Sequence, residues 1–207
     1  MTPTLPKLVS RNNYLKSKKL IQEARIARNR SMLIQICSVL GNYPDWHGAV
    51  EASQHCFELS LKSLWLMLGF NYPHNHNPAK DLDQVKERLF MLFPHLENEP
   101  LFKSFETWVK KRGEYMAKLH GTSFYGDEKG NYASELFTEE DASRIWEDAE
   151  MCYKFALLPI ELSGAKMGLL TEEEKKNLES FSTMIQELRK KNKEEIERLI
   201  RERLSTY

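Results

Sequence analysis

Two arginine–histidine pairs in this sequence have the side chains needed to cleave a phosphodiester. A histidine can move a proton to or from a 2′-hydroxyl or a leaving oxygen, and an arginine can stabilise the charge of the phosphorane. Arg112 and His120 are separated by seven residues, and Arg88 and His95 by six. The second spacer is apolar, and Pro94 within it predicts a break in the helix that would hold both side chains on one face. Both pairs are candidate catalytic pairs.

Other polar residues are candidates for binding a ligand. Glu58 and Lys62 lie one helical turn apart, in the order that favours an ion pair. Because the surrounding helix is apolar, they form either a structural ion pair or a charge presented to a ligand. Tyr125 and Asp127 flank Gly126 in a glycine-rich segment that could approach a nucleotide, although the Gly-Lys-Ser/Thr of a P-loop is absent.

A short histidine-containing segment raises the question of a metal site. His74 and His76 precede Asp81, and imidazole and carboxylate ligands suit zinc and other divalent ions. No third histidine or cysteine lies near them, and the surrounding Asn and Pro residues predict a loop. We therefore expect no metal and no cofactor. His76 is expected to hydrogen-bond within the loop or to contribute to a ligand site.

The overall composition is that of a globular protein. The 207 residues are 41% hydrophobic and 29% charged, with a formal net charge of zero, which excludes a disordered or collagen-like chain. The longest apolar run is too short to span a membrane, and the first residues lack the apolar region of a secretory signal. The three cysteines are scattered among apolar residues, which predicts reduced core thiols in a cytoplasmic protein.

The net charge of zero conceals two oppositely charged segments. Residues 1–40 contain eight basic residues against one glutamate, a net charge of +7. Residues 126–150 contain nine acidic residues against two basic ones, a net charge of −7. Either the two segments face each other, or the protein displays a basic surface that could bind phosphates in a salt-dependent way. The candidate phosphate contacts are Lys18, Lys19, Arg25 and Arg28.

Helical periodicity and capping residues predict an all-α protein. Six helices are expected at about residues 11–40, 46–68, 79–93, 100–119, 139–158 and 172–204. Residues 32–40 are apolar on nearly all sides, so we expect the first helix to enter the core at its C-terminal end. Gly164 and Gly168 predict a hinge between a bundle of residues 1–162 and a helical arm of residues 163–207. That arm either packs along its own bundle or forms a coiled coil with another chain.

Three stretches of the sequence together resemble the HEPN superfamily. The first is the helix Glu51-Ala-Ser-Gln-His-Cys-Phe-Glu-Leu-Ser-Leu-Lys, with its glutamate and lysine one turn apart. The second is the loop that ends in His76-Asn-Pro, and the third is Tyr125-Gly-Asp-Glu followed by the capping box Thr138-Glu-Glu-Asp-Ala. The resemblance covers about residues 10–160 and is strongest with archaeal-type HEPN proteins.

The resemblance implies a fold and a choice of functions. HEPN domains are up-and-down bundles of four or five helices and are commonly dimeric. Some are metal-independent ribonucleases with an Arg-x4–6-His motif, often toxins of toxin–antitoxin pairs, and others pair with a minimal nucleotidyltransferase encoded nearby. In active members the motif lies toward the last helices of the domain, where Arg112 and His120 fall with one residue too many between them.

These observations combine into one expectation with two alternatives. We expect a homodimeric four- to five-helix bundle with a C-terminal helical extension that binds RNA or a nucleotide without catalysis, with a nucleotidyltransferase as partner. The first alternative is a toxin-like RNA endonuclease, and the second is an adaptor that recruits a protein through its C-terminal helix.

Overall fold

The described part of the chain is helical, as predicted. The computed structural model describes residues 9–41, 44–80, 82–97 and 100–190, and these contain no strand. Their α-helices are α1 (Arg11–Leu40), α2 (Trp46–Met67), α3 (Leu82–Leu92), α4 (Pro94–Glu97), α5 (Pro100–Tyr125), α6 (Glu139–Lys166) and α7 (Glu172–Lys190). One 3-10 turn, Ala133–Glu135, lies between α5 and α6. The predicted extension of the last helix beyond residue 190 lies outside the described residues.

Side-chain caps fix the starts of the long helices where the sequence predicts them. The Ser10 hydroxyl accepts a hydrogen bond from the backbone N–H of Asn13 at 3.1 Å, and the Asp45 carboxylate accepts one from Gly48 at 3.0 Å. Thr138 forms a reciprocal capping box at the start of α6. Each cap satisfies backbone donors that a helix N-terminus leaves without an intrahelical partner.

Helices α1 and α2 run antiparallel. The Ser31 hydroxyl donates to the Ala49 carbonyl at 2.8 Å near the start of α2, and the Ser38 hydroxyl accepts from the Asp45 N–H where the chain turns. Five of the seven buried residues of α1 are serine or alanine, which lets α1 approach its neighbours closely.

The remaining long helices complete an up-and-down bundle. Helices α2 and α6 run parallel, because Cys56 contacts Ala149 and, later in both helices, Met67 contacts Ser163. Helix α5 runs antiparallel to α6, because Phe102 packs on Phe155 while the later Arg112 pairs with the earlier Asp148. Helices α1, α2, α5 and α6 therefore alternate in direction around one core, which confirms the predicted bundle. No helix in the described ranges has the length and apolar character that a membrane span requires.

Two expectations about burial on α1 are wrong. Its C-terminal half does not enter the core, since Leu33, Val39 and Leu40 are 57%, 60% and 82% exposed. Cys37 on the same half is exposed, whereas the other two cysteines are buried as expected. The buried face of α1 contains small residues such as Ala24 and Ser31, because they allow close packing. The larger apolar side chains were therefore left outside.

The chain between α6 and α7 differs from the predicted hinge in detail. Helix α6 continues past Pro159 to Lys166, so the predicted boundary at residue 162 falls inside it. A Cβ on Gly164 would lie 2.5 Å from Tyr14 Oη and 2.6 Å from Leu170 Cδ2, so this glycine allows a close approach between α6 and α1. Gly168 has a φ of +66° and follows the end of α6.

Candidate functional site

Polar side chains converge where α2, the loop after it and α5 meet. Glu58 on α2, His76 in the loop and His120 on α5 place their ligand-type N and O atoms within 4.8 Å of one another. We call these three residues together with Lys62 the Glu58 cluster. The three residues are separated by 18 and 44 positions in the sequence, so tertiary packing brings them together.

Helix α2 supplies a buried carboxylate with its hydrogen bonds already satisfied. Glu58 is 6% exposed, and its Oε2 accepts from Gln54 Nε2 at 3.0 Å while its Oε1 accepts from Lys62 Nζ. Both partners lie one turn away on the same face of the helix. Burial by itself would raise the pKa of Glu58, but hydrogen bonds from Lys62, His76 and Gln54 outweigh it and lower the pKa. Glu58 is therefore a carboxylate at neutral pH.

The loop after α2 holds His76 over this carboxylate. His76 Nδ1 lies 3.0 Å from Glu58 Oε2. The Asn75 side chain accepts from the Asn77 N–H at 3.1 Å, and the Trp65 indole donates to the Pro78 carbonyl at 3.0 Å, so the loop is fixed to α2. The hydrogen bond of His76 is therefore made to α2, and not within the loop as the sequence had suggested.

Helix α5 adds the second imidazole and two exposed rings. The His120 ring stacks on His76 with centroids 3.6 Å apart and an interplanar angle of 18°. Phe124, one turn later, lies 5.2 Å from His120, and Tyr125 lies 6.1 Å from Phe124. Burial and the neighbouring His76 lower the pKa of His120, which favours its neutral form. We call His76, His120, Phe124 and Tyr125 the ring series, which leads from the buried carboxylate to solvent.

Gly113 lets α5 approach the loop closely enough for His120 to stack on His76. A Cβ on Gly113 would lie 2.4 Å from the Ala79 Cβ and 2.7 Å from Asn77 Oδ1. Any larger residue would push α5 away from the loop and separate His120 from His76. Gly113 therefore positions the cluster without contacting it.

The two predicted arginine–histidine pairs are placed differently from each other. Arg112 is 5% exposed, and its Nε lies 3.2 Å from Asp148 Oδ2 on α6. His120 follows eight residues later, about 12 Å along the helix axis, inside the Glu58 cluster. Arg88 and His95 lie on separate helices, α3 and α4, because the chain breaks before Pro94 as predicted.

The predicted loop residues are both at the surface. Tyr125 is the last residue of α5 and is 87% exposed. Asp127 accepts hydrogen bonds from the Lys129 N–H at 3.0 Å and from the Asn131 N–H at 2.9 Å, and the Asn131 side chain donates to it as well. These bonds, led by those of Asn131, lower the pKa of Asp127. The carboxylate of Asp127 organises the loop.

The four predicted phosphate contacts are not equally free. Lys18 pairs with Glu174 at 2.8 Å, Arg25 with Glu173 at 3.2 Å, and Arg28 with Glu150 at 3.0 Å. Two of these three acidic partners belong to α7 rather than to the acidic segment 126–150. Lys19 is exposed. Within the described ranges, Arg11, Lys16, Lys19 and Arg30 form the exposed basic positions of α1 that have no ion-pair partner there.

The residues that the structure groups with metal-ligand spacing differ from the set His74, His76 and Asp81 considered in the sequence analysis. The ring of His74 packs against Tyr72 at 5.7 Å, and Asp81 lies outside the described residues. Among the described residues, Glu58, His76 and His120 form the group whose geometry could hold a metal. No spacing in the sequence signals this group, because each residue comes from a different segment.

Fold and site together define an all-helical bundle domain with a histidine-containing polar cluster beside the middle of its buried helix α2. A family model described as HEPN domain matches residues 38–159, which is more than half of the chain. The chain belongs to the HEPN family, as the sequence motifs indicated. Membership indicates an RNA-related or nuclease-like function in general terms. Searches of curated proteins and of solved structures give no match.

Proposed function

We propose that this HEPN protein binds single-stranded RNA or nucleotides at the Glu58 cluster and its ring series, as a binding module that works with a partner. The observation that carries this proposal is the ring series itself. Aromatic rings that lead outward from a polar pocket can stack on unpaired bases, and each such stack contributes about 1–3 kcal/mol. Phe124 and Tyr125 are 48% and 87% exposed, so their faces are accessible to a ligand.

The cluster supplies polar groups next to these rings. Lys62 carries a positive charge beside the ring series, and the imidazoles of His76 and His120 can donate to or accept from base edges and phosphate oxygens. The exposed basic residues of α1 add an electrostatic contribution. Because Lys18, Arg25 and Arg28 are engaged in ion pairs, Lys19 is the phosphate contact that we expect to contribute most.

Binding can be measured by fluorescence anisotropy with a labelled single-stranded RNA oligonucleotide in EDTA. We expect Phe124→Ala and Tyr125→Ala each to weaken binding about 5- to 150-fold, the equivalent of one lost stack. Tyr132→Ala is the matched control, since Tyr132 is 74% exposed but lies outside the ring series. Equal affinities of all four proteins would refute the proposal.

The salt dependence of the same measurement tests the phosphate contacts. Each neutralised phosphate increases the steepness of the negative slope of log affinity against log salt by about 0.7 for a single strand. We expect Lys19→Gln to reduce the slope by about this amount and Arg25→Gln to reduce it less, because Arg25 already pairs with Glu173. The opposite order would show that the ion pair opens to bind RNA.

A metal-independent ribonuclease is the second candidate function. It is favoured by His120, an imidazole with a lowered pKa that stacks on a second imidazole held by a carboxylate. The neutral imidazole of His120 would accept the proton of the 2′-hydroxyl as it attacks the phosphate. Lys62 would stabilise the negative charge that develops on the phosphorane. RNA cleavage in EDTA that His120→Ala abolishes would support this candidate. The same assay on Arg112→Gln, Arg88→Gln and His95→Ala tests the predicted catalytic pairs.

We also propose that the protein is a homodimer through the exposed apolar face of α1. Besides Leu33, Val39 and Leu40, this face contains Ile36, which is 47% exposed. A surface this apolar on one helix suits an isologous contact with a second copy, which agrees with the dimers common in the family. Light scattering should give a dimer that Leu33→Glu converts to a monomer. Leu15→Glu, at a position 50% exposed elsewhere on α1, is the control that should remain dimeric.

We make a separate proposal for the protein partner of this chain. A minimal nucleotidyltransferase is the partner that the family resemblance favours, and co-purification with the product of a neighbouring gene tests it. The adaptor alternative predicts instead that removal of residues 171–207 abolishes capture of a protein partner while the bundle stays folded.

A further inference from the structure

We infer that Glu58, His76 and His120 form a binding site for a divalent transition metal ion of the zinc type. The family resemblance implies metal-independent chemistry, so this inference goes beyond the proposed function and does not depend on RNA binding. It rests on the geometry of the three side chains.

The donor set matches a known class of metal site. Two histidines and one glutamate are the three protein ligands of many catalytic zinc sites, in which water or substrate takes the remaining position. Ligand bonds of 2.0–2.1 Å place neighbouring ligand atoms of a tetrahedral site about 3.3 Å apart. His76 Nδ1 and Glu58 Oε2 are already 3.0 Å apart, and all three donors lie within 4.8 Å. Because the His120 ring stacks on His76, its side chain must rotate out of that stack to direct a ring nitrogen at the same ion, and this rotation completes the triangle.

The surroundings hold the carboxylate in the state that a metal requires. Lys62 binds Glu58 Oε1, which leaves Oε2 directed at His76. A metal ion would occupy the place of the proton shared by Glu58 Oε2 and His76 Nδ1, and that proton would pass to solvent. Gln54, which donates to Oε2, acts as an outer partner that orients the carboxylate.

The site is accessible from one side. The His76 side chain is 51% exposed, whereas that of Glu58 is 7% exposed. An ion can therefore enter past the loop and bind against the buried carboxylate, while the open side leaves room for water. This combination of a buried carboxylate with one exposed and one half-buried imidazole differs from an exposed cluster of acidic residues.

Zinc titration of the full chain tests the inference. The protein is first treated with EDTA and dialysed, and then titrated with ZnCl2 by calorimetry, with Co²⁺ as a spectroscopic probe. We expect one ion per chain and the visible absorption of four- or five-coordinate Co²⁺. His76→Ala and His120→Ala should each weaken zinc binding at least about 100-fold, since even outer-shell substitutions cost about 10- to 100-fold. Circular dichroism confirms that each variant is folded.

A histidine in the same loop provides the matched control. His74 is exposed two residues before His76 and is not in the cluster, so His74→Ala should leave zinc affinity unchanged. In imidazole NMR spectra of the wild-type protein, zinc should shift the resonances of His76 and His120 and not those of His74. The absence of saturable binding, or binding that His76→Ala and His120→Ala leave unchanged, would overturn the inference.

Discussion

Replacement of Glu161 by glutamine should stabilise the protein at high pH and have little effect at low pH. Glu161 lies on α6 and is 4% exposed, near the ion pair of Lys18 and Glu174. Burial and the negative charge of Glu174 raise the pKa of Glu161 to about 7 from an ordinary value of 4.5, although Lys18 opposes the shift. The folded protein therefore holds this carboxyl group in its neutral form up to about neutral pH.

The size of the effect follows from the two pKa values. Because the pKa is higher in the folded state, the stabilising contribution of the protonated carboxyl is fully present below pH 4.5 and is lost as the pH rises through about 7. A difference between 4.5 and about 7 corresponds to about 3 kcal/mol of unfolding free energy. Glutamine has a similar shape and stays neutral, so Glu161→Gln should avoid this loss.

Urea unfolding at several pH values between about 4 and 8 provides the assay. The unfolding free energy of Glu161→Gln minus that of the wild type should rise from near zero at the acidic end to as much as about 3 kcal/mol at the alkaline end. Titrating groups that do not interact with Glu161 cancel in this difference. Glu179→Gln on α7 is the matched control, because Glu179 is exposed and its variant should show no such rise. A difference for Glu161→Gln that stays constant with pH would refute the reasoning.

Three further predictions concern packing, a buried ion pair and thiol accessibility. Gly164→Ala should lower the unfolding free energy by about 1–3 kcal/mol, because its Cβ would overlap side chains of α1 and of the chain before α7. Gly121→Ala, on α5 with open space around its Cβ, should instead raise it by about 0.5–1 kcal/mol in the same urea assay. Asp148→Ala should cost about 3–5 kcal/mol, since it removes the carboxylate beside the buried guanidinium of Arg112; a loss below about 1 kcal/mol in thermal unfolding would contradict this. A thiol reagent should modify Cys37 in the native protein and reach the two buried cysteines only after unfolding, and mass spectrometry of the modified chain distinguishes these outcomes.

Local signals in the sequence located most of the helices. Ser10, Asp45 and Thr138 cap α1, α2 and α6 where they were expected, because a cap depends on residues only three positions apart. The end of α6 was placed too early at Leu158, since the helix continues through Pro159 in the bundle. The short helix α4 was not predicted, because four residues carry too little periodicity.

The exposed face of α1 shows what periodicity alone does not decide. Residues 32–40 are apolar all round, so the sequence could not tell which side would be buried. Close packing of α1 on α2 chose the small residues, with Ser31 hydrogen-bonded to the Ala49 carbonyl, and left Leu33 and its neighbours outside. The bounds of α1 could thus be predicted from the sequence. The side of α1 that is buried depends on how the helix packs against α2.

By itself the sequence determined the helical class and the family, and it proposed Glu58, Lys62 and His76 as ligand-binding residues. The sequence pattern paired His120 with Arg112 as a candidate catalytic pair. The metal ligands considered from the sequence included His74 and Asp81. Only the tertiary structure brought His120 onto His76 and buried Arg112 against Asp148. The physical reason is that helix signals act within a few residues, whereas a site is formed by side chains from distant segments that meet when their helices pack.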